Sequence, residues 1–144
     1  MPNHCTNEVC ISCSSEEVAE EIASFLQGEE SAFDFNRLHP CPKKLLTPPD
    51  DSVKKAALKA RYGHDNWYDW RLENWGTKWN SYECSLDTSW IEDGSLEYHF
   101  ETAWGPPDEV HRKLRCYLKQ RHPGSEVSWF YHEPLMNLAG YLEP

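Results

Sequence analysis

Trp67, Tyr68, Trp70, Trp75 and Trp79 crowd into residues 66–80, interleaved with Asp69, Arg71, Glu73, Asn74, Lys78 and Asn80. Indole and phenol rings offer large contact area with few rotors and dominate binding hot spots. With Asn74, Lys78 and Asn80 beside them, the same rings could also stack a base or nucleotide. The competing expectation is structural, since most of the seven tryptophans of so small a chain must be buried. Trp67, Tyr68, Trp70, Asn74, Trp75, Lys78 and Trp79 are therefore the candidate binding residues. Of these, Trp75 is expected to pack against a sheet or its edge, with Gly76 allowing close backbone approach. Asn74 and Asn80 would satisfy neighbouring backbone groups, and Lys78 would face solvent or a ligand. The stretch reads as neither an ordinary helix nor an ordinary strand.

Other chemistry is sparser. If helices cover the strand face that carries Val9, Tyr98 and Trp129, then Cys10, Glu83, Glu97, His99, Glu101 and His132 share the opposite face. A histidine among carboxylates could serve a divalent metal or acid–base chemistry, or simply form a solvated polar face. Cys10 and Cys13 have the gap of a zinc knuckle, but no second pair completes four ligands. In a strand the two would also point to opposite faces. The six cysteines are expected as free thiols. Neither a G-x-S-x-G elbow, a phosphate-binding loop nor a dinucleotide glycine fingerprint occurs. No catalytic residue, metal or cofactor is assigned.

Positioning these groups falls to a single domain of 144 residues, long enough to bury a core without disulfide staples. Apolar residues make up 39% and charged residues 26%, and no apolar run approaches the roughly 18 residues of a membrane helix. The start, Met1-Pro2-Asn3-His4, has neither a basic segment nor an apolar core of a signal peptide, so a cytoplasmic setting is expected. Net charge is −10, which repels phosphate backbones and disfavours generic nucleic-acid binding. Such acidity serves solubility, or mimics nucleic acid in a partner's basic groove.

Val9 and Ile11 alternate with polar neighbours in a first strand. Ser14 and Glu17 form a capping box before Val18, Ile22, Phe25 and Leu26, one face of a helix that Gly28 would end. Residues 33–38 suit a short extended piece, and Pro40, Pro42, Pro48 and Pro49 break regular structure beyond it. Asp50-Asp51-Ser52 can cap a thinly apolar helix over 53–62, ended by Gly63. A hairpin pairs Tyr82, Cys84 and Leu86 with Leu96, Tyr98 and Phe100 around Glu92-Asp93-Gly94. A helix opens at Pro106-Pro107 with the stripe Val110, Leu114, Tyr117 and Leu118. The last strand carries Val127, Trp129 and Tyr131 and stops at Pro134. The order predicts an α+β fold, a ferredoxin-like β-α-β-β-α-β sandwich with a four-stranded antiparallel sheet. A Pro- and aromatic-rich insert occupies roughly residues 29–80, after the first helix.

Several motifs carry a family likeness. They are Met1-Pro2-Asn3 with Cys5 and Asn7; Phe33-Asp34-Phe35-Asn36-Arg37-Leu38 with Pro40 and Pro42; and Trp67-Tyr68-Asp69-Trp70 with Asn74-Trp75-Gly76-Thr77-Lys78-Trp79-Asn80. Phe100-Glu101-Thr102-Ala103-Trp104 with Pro106-Pro107, and Tyr131 with Glu133-Pro134 and Gly140-Tyr141, complete the set. Together they resemble the YubB-like, ferredoxin-like-domain family of plasmids and bacteriophages, across nearly the whole chain. His4 departs from it, standing where that family carries tryptophan. The resemblance implies a ferredoxin-like fold and a mobile-element setting, without a biochemical activity. The expected function is a non-enzymatic interaction protein that binds a host protein and interferes with host defence or nucleic-acid machinery. The alternative is a small metal-dependent or small-molecule-binding enzyme that uses the open sheet face, with His99 beside Glu101 or Glu83.

Overall fold

Alternation decides which face of a strand is buried, and the first strand shows it most cleanly. In a computed structural model that describes residues 3–143, β1 (His4–Ser12) buries Cys5, Asn7, Val9 and Ile11 completely and leaves His4, Thr6, Glu8 and Ser12 exposed. Met1 and Pro2 of the N-terminal motif lie outside the described residues. α1 (Glu16–Leu26) is capped by Ser15, whose Oγ accepts from the Val18 amide at 3.2 Å. That is one residue later than the expected Ser14 box. The delay has a cause, because the Cys13 N–H donates to the Gly94 carbonyl at 2.7 Å and keeps the chain extended beyond β1. Gly28 does not cap this helix either, since Gln27 ends it in an extended conformation. Gly28 instead makes room for Asp34, whose Oδ2 would lie 2.0 Å from a Cβ at that position.

The insert is more helical than its prolines and rings predict. Asp34 caps a four-residue helix, α2 (Phe35–Leu38), its Oδ1 accepting from the Asn36 amide at 2.9 Å; this replaces the extended piece expected there. α3 (Ser52–Tyr62) begins at Asp51, ends at Gly63 with φ 83° and buries none of its residues, in keeping with its thin apolar stripe. α4 (Trp67–Asn74) corrects the reading of the aromatic stretch, whose first half is a helix capped by Asn66. The Asn66 Oδ1 accepts from the Asp69 amide at 2.9 Å. Trp67, Trp70, Arg71 and Asn74 fall at i, i+3, i+4 and i+7, a helical spacing that the interleaved charges obscure.

β2 (Tyr82–Asp87), β3 (Ser95–Ala103), α5 (Asp108–Arg121), β4 (Glu126–Glu133) and β5 (Leu138–Tyr141) complete a mixed α+β fold. The sheet has five strands in the order β2-β3-β1-β4-β5, and every neighbouring pair is antiparallel. The fifth strand corrects the four-stranded expectation. Pro134 does stop β4, but the Glu133 carboxylate then accepts from the Met136 amide across a 3-10 turn. Asn137, at φ 56°, sends the chain back along β4. Leu138-Ala139-Gly140-Tyr141 has no polar alternation, so periodicity could not reveal it.

The core lies between the helices and the inward face of the sheet. Val110, Leu114 and Leu118 of α5 join Val9, Ile11, Leu96, Tyr98, Phe100 and Trp129. Phe33 of the insert plugs the middle, its ring centroid 5.1 Å from Tyr98, 5.0 Å from Phe100 and 5.7 Å from Trp129. His111 of α5 is buried edge-on to Trp129, centroids 5.4 Å apart. Its Nε2 has no hydrogen-bond partner among the described residues.

Burial, with smaller contributions from Arg115 and Arg112, pushes the His111 pKa down to about 4. A base whose folded pKa lies below its unfolded value of about 6.5 binds its proton more tightly in the unfolded chain. Its cost is therefore absent above pH ~6.5 and grows as pH falls toward 4, to at most about 3 kcal/mol. As the pH falls from 7 to 4, the melting temperature of the parent should drop relative to that of His111→Phe, which has no imidazole to charge. Parallel pH profiles would contradict this assignment.

Candidate functional site

Asn80 closes the insert onto the sheet. Its Oδ1 accepts from the Phe35 and Ser81 amides, both at 2.9 Å, and its Nδ2 donates to Asp34 at 2.8 Å and Glu30 at 2.7 Å. The Ser81 hydroxyl adds a bond to the Phe33 carbonyl at 2.6 Å. Residues 75–79 therefore connect α4 to this clip and run toward the end of β3. Gly76 permits the crossing: at φ 83°, a Cβ there would lie 2.9 Å from the Asp108 backbone nitrogen. Thr77 then donates its hydroxyl proton to the Ala103 carbonyl at 3.1 Å, bringing this segment to the end of β3.

The candidate residues divide into two layers. Trp75 is fully buried; its Nε1–H donates to the His39 carbonyl at 2.8 Å and its ring meets Phe35 and Trp70 edge-on. Trp70 is buried as well. Asn74 donates to the Trp70 carbonyl at 2.9 Å. Half-buried Trp67 and buried Trp75 both carry the Arg71 guanidinium, 5.0 and 4.7 Å from their centroids, and Arg71 also donates to the Lys78 carbonyl at 3.2 Å. These groups can hold a surface in place; of them only Trp70 and Trp75 are buried away from a partner, while Trp67, Arg71 and Asn74 are half-buried. Tyr68 faces outward on α4 and lies edge-on to Trp67.

Lys78 and Trp79 form the second layer, together with groups that the sequence did not single out as a site. The Lys78 Nζ lies 4.4 Å from the Trp79 centroid and 4.3 Å from that of Trp104. Both indoles are substantially exposed, Trp79 at 37% and Trp104 at 43%. Trp104 holds its position at φ 70°, an uncommon backbone conformation for a large L-residue, with its amide donating to the Asn3 carbonyl at 2.7 Å. Tyr82 continues the surface, 6.1 Å edge-on to Trp79, and its hydroxyl meets the His4 Nδ1 at 2.5 Å. Burial, then Glu101 and Cys5, raise the Tyr82 pKa, which keeps the hydroxyl protonated. The available sequence signal for Trp104 was its place: a large ring between a strand and Gly105-Pro106-Pro107, where no ladder can continue.

The open sheet face is contiguous with this surface. His4, Thr6, Tyr82, Glu83, His99 and Glu101 line one shallow depression. A bulge between Tyr82 and Ser85 puts Tyr82 opposite Glu101 and Ser85 opposite His99. The simple alternation of Tyr82 with Cys84 and Leu86 therefore breaks at Glu83, which has φ 50°. His99 Nε2 lies 3.0 Å from Glu97 and its Nδ1 3.8 Å from Glu8. Among the described residues, no three His, Cys, Asp or Glu side chains converge as a metal ion would require, and all six cysteines are free. No helix of the described residues is long and apolar enough to cross a membrane.

The chain matches no family model and no curated protein sequence. It is similar in structure to a protein api92 from Yersinia pseudotuberculosis, a crystal structure assigned to the family model DUF1281. The TM-score is 0.61 at 11% identity, over 98% of this chain and 93% of that one. At that identity the likeness speaks for the fold alone.

The two layers respond differently to truncation. Trp75→Ala should cost about 3–5 kcal/mol, as expected for a buried large aromatic, a large fraction of an ordinary domain's stability. Trp79→Ala, at the surface, should shift the melting temperature little. Thermal melts of the two variants check this; equal shifts would mean that the layers are not distinct.

Proposed function

We propose that this chain is a non-enzymatic interaction protein of a plasmid or bacteriophage that acts in the host cytoplasm by binding a host protein. The carrying observation is the Lys78 ammonium held between the half-exposed Trp79 and Trp104 rings. Aromatic area left in water with a cation already seated on it is the composition of a binding hot spot. Arg71, stacked on buried Trp75, donates to the Lys78 carbonyl and so ties this surface to the packed layer, which would lower the ordering cost of association. The mobile-element setting rests on the resemblance to the YubB-like family. The net charge of −10 supports a partner that itself binds nucleic acid, so that interference with host defence or nucleic-acid machinery would result from occupying a basic surface.

The fold reading belongs to the same proposal. The chain order β1, α1, β2, β3, α5, β4 and the sheet order β2-β3-β1-β4 support a single ferredoxin-like domain. In that reading residues 29–80 are its insert and β5 is an added edge strand.

Capture from host lysate tests the binding surface. Parent protein should retain a specific partner, and Trp79→Ala or Trp104→Ala should weaken its capture by tenfold or more, as for hot-spot truncation. Undiminished capture by both variants would place the surface elsewhere.

A second reading, a metal-dependent or small-molecule-binding enzyme on the open face, is favoured by one observation: His99 lies between Glu97 and Glu8. Metal analysis of purified protein tests it. A stoichiometric divalent ion lost on His99→Ala would favour this reading, and protein that stays metal-free after incubation with divalent ions would leave its metal-dependent form without support.

A further inference from the structure

α3 lies on the molecule without being buried in it. Of its apolar side chains only Leu58 and Tyr62, both half-buried, pack against the core, and Val53 is 76% exposed. A helix of this length is marginal alone in water, and tertiary packing usually holds one in place. Charge sets it apart as well. α3 carries Lys54, Lys55, Lys59 and Arg61 and no acidic residue, and Lys43 and Lys44 precede it, in a chain of net charge −10. Among the described residues none of these cations forms an ion pair. Asp51, the carboxylate next to α3 in sequence, is engaged by the Val53 and Lys54 amides at 2.7 and 3.3 Å. Lys44 and Lys54 line a groove of about 340 Å³ together with Pro49, Ala57 and Leu58, and no carboxylate lines it.

We propose that this groove binds a short acidic peptide segment of a partner protein. Its carboxylates meet Lys44 and Lys54, and an apolar side chain between them lies on Pro49, Ala57 and Leu58.

The lining selects this occupant. Two lysines without a neutralising carboxylate complement an anion, and the apolar residues between them complement a side chain that a phosphate backbone lacks. The net charge of −10 opposes every anion at long range. Such fields are screened over about 8 Å at physiological salt, so the local cations decide at contact. A short peptide brings few charges. A DNA duplex brings one per ~1.7 Å of its axis and would press that row against the acidic remainder of the molecule. A lipid surface calls for large apolar side chains, whereas α3 exposes Val53 and alanines. The groove uses neither Lys78 nor Trp104, so its failure would leave the proposed host-protein surface standing.

A fluorescein-labelled synthetic peptide of Glu, Asp and Leu tests the site, beside the same peptide with Gln and Asn in place of its acids. Anisotropy reads the affinity and amide chemical shifts read the place. The acidic peptide should bind the parent below about 1 mM, more weakly as salt rises, and should shift the amides of residues 44 and 53–58. Lys44→Glu and Lys54→Glu, at exposed positions, should melt like the parent. Each should weaken binding about tenfold, because an attraction becomes a repulsion. Lys119→Glu makes the same change of net charge on α5 and should leave binding unaltered. Should either groove variant lose its fold, the shift map of the parent still decides. No binding by the parent, equal binding of the neutral peptide, shifts confined to other residues, or an equal loss in Lys119→Glu would overturn the proposal. Tighter binding at this groove by duplex DNA, anionic lipid vesicles or a second copy of the chain would overturn it too.

Discussion

One carboxamide holds the insert to the sheet. Asn80 is buried, and its two polar atoms bond Phe35 and Ser81 on one side and Asp34 and Glu30 on the other. These partners come from opposite ends of a long excursion, so the side chain acts as a clip across it. A buried amide leaves costly unpaired groups if it is removed, and here those groups include the amide that begins α2. Phe33 and Phe35 reach the core because Asp34 and Ser81 are fixed between and beside them. Trp75 reaches it because the chain beyond it must return to Asn80.

That constraint explains why the aromatic stretch splits into layers. Between the end of α4 and Asn80 the chain has few residues with which to cross from the helix layer to the sheet end. Gly76 passes so close to the start of α5 that no side chain fits. Thr77 is spent on the Ala103 carbonyl. Lys78 and Trp79 are what remains, and they emerge beside Trp104, itself held in a left-handed conformation at the end of β3. A non-glycine residue kept there usually costs free energy. The surface is thus a consequence of a tight crossing, with rigid aromatic packing beneath it.

The regular elements were legible where a single period ran long enough. Val9 and Ile11, Leu96 to Phe100, and the stripe of α5 all behave as their spacing requires. Short-range competition hid the rest. A backbone bond from Cys13 to Gly94 moved the first cap by one residue, and the bulge at Glu83 turned Tyr82 to the open face. β5 is too short and too uniformly uncharged to show a period. Within the candidate site the tryptophans were legible as a group, and Trp75 as core. That Lys78 would meet Trp104 depended on a contact between residues far apart in sequence, which no local pattern encodes. The aromatic helix α4 went unread because charged residues fill the positions between its rings.

A partner bound at the proposed surface would cover Lys78, Trp79 and Trp104. Tryptophan-directed covalent footprinting, with and without host lysate, addresses it directly because the chain carries its own control. Trp90 is 61% exposed and belongs to the β2–β3 connection. Lysate should protect Trp79 and Trp104 while Trp90 keeps its full reactivity. Protection of Trp90 with Trp79 and Trp104 unchanged would contradict it.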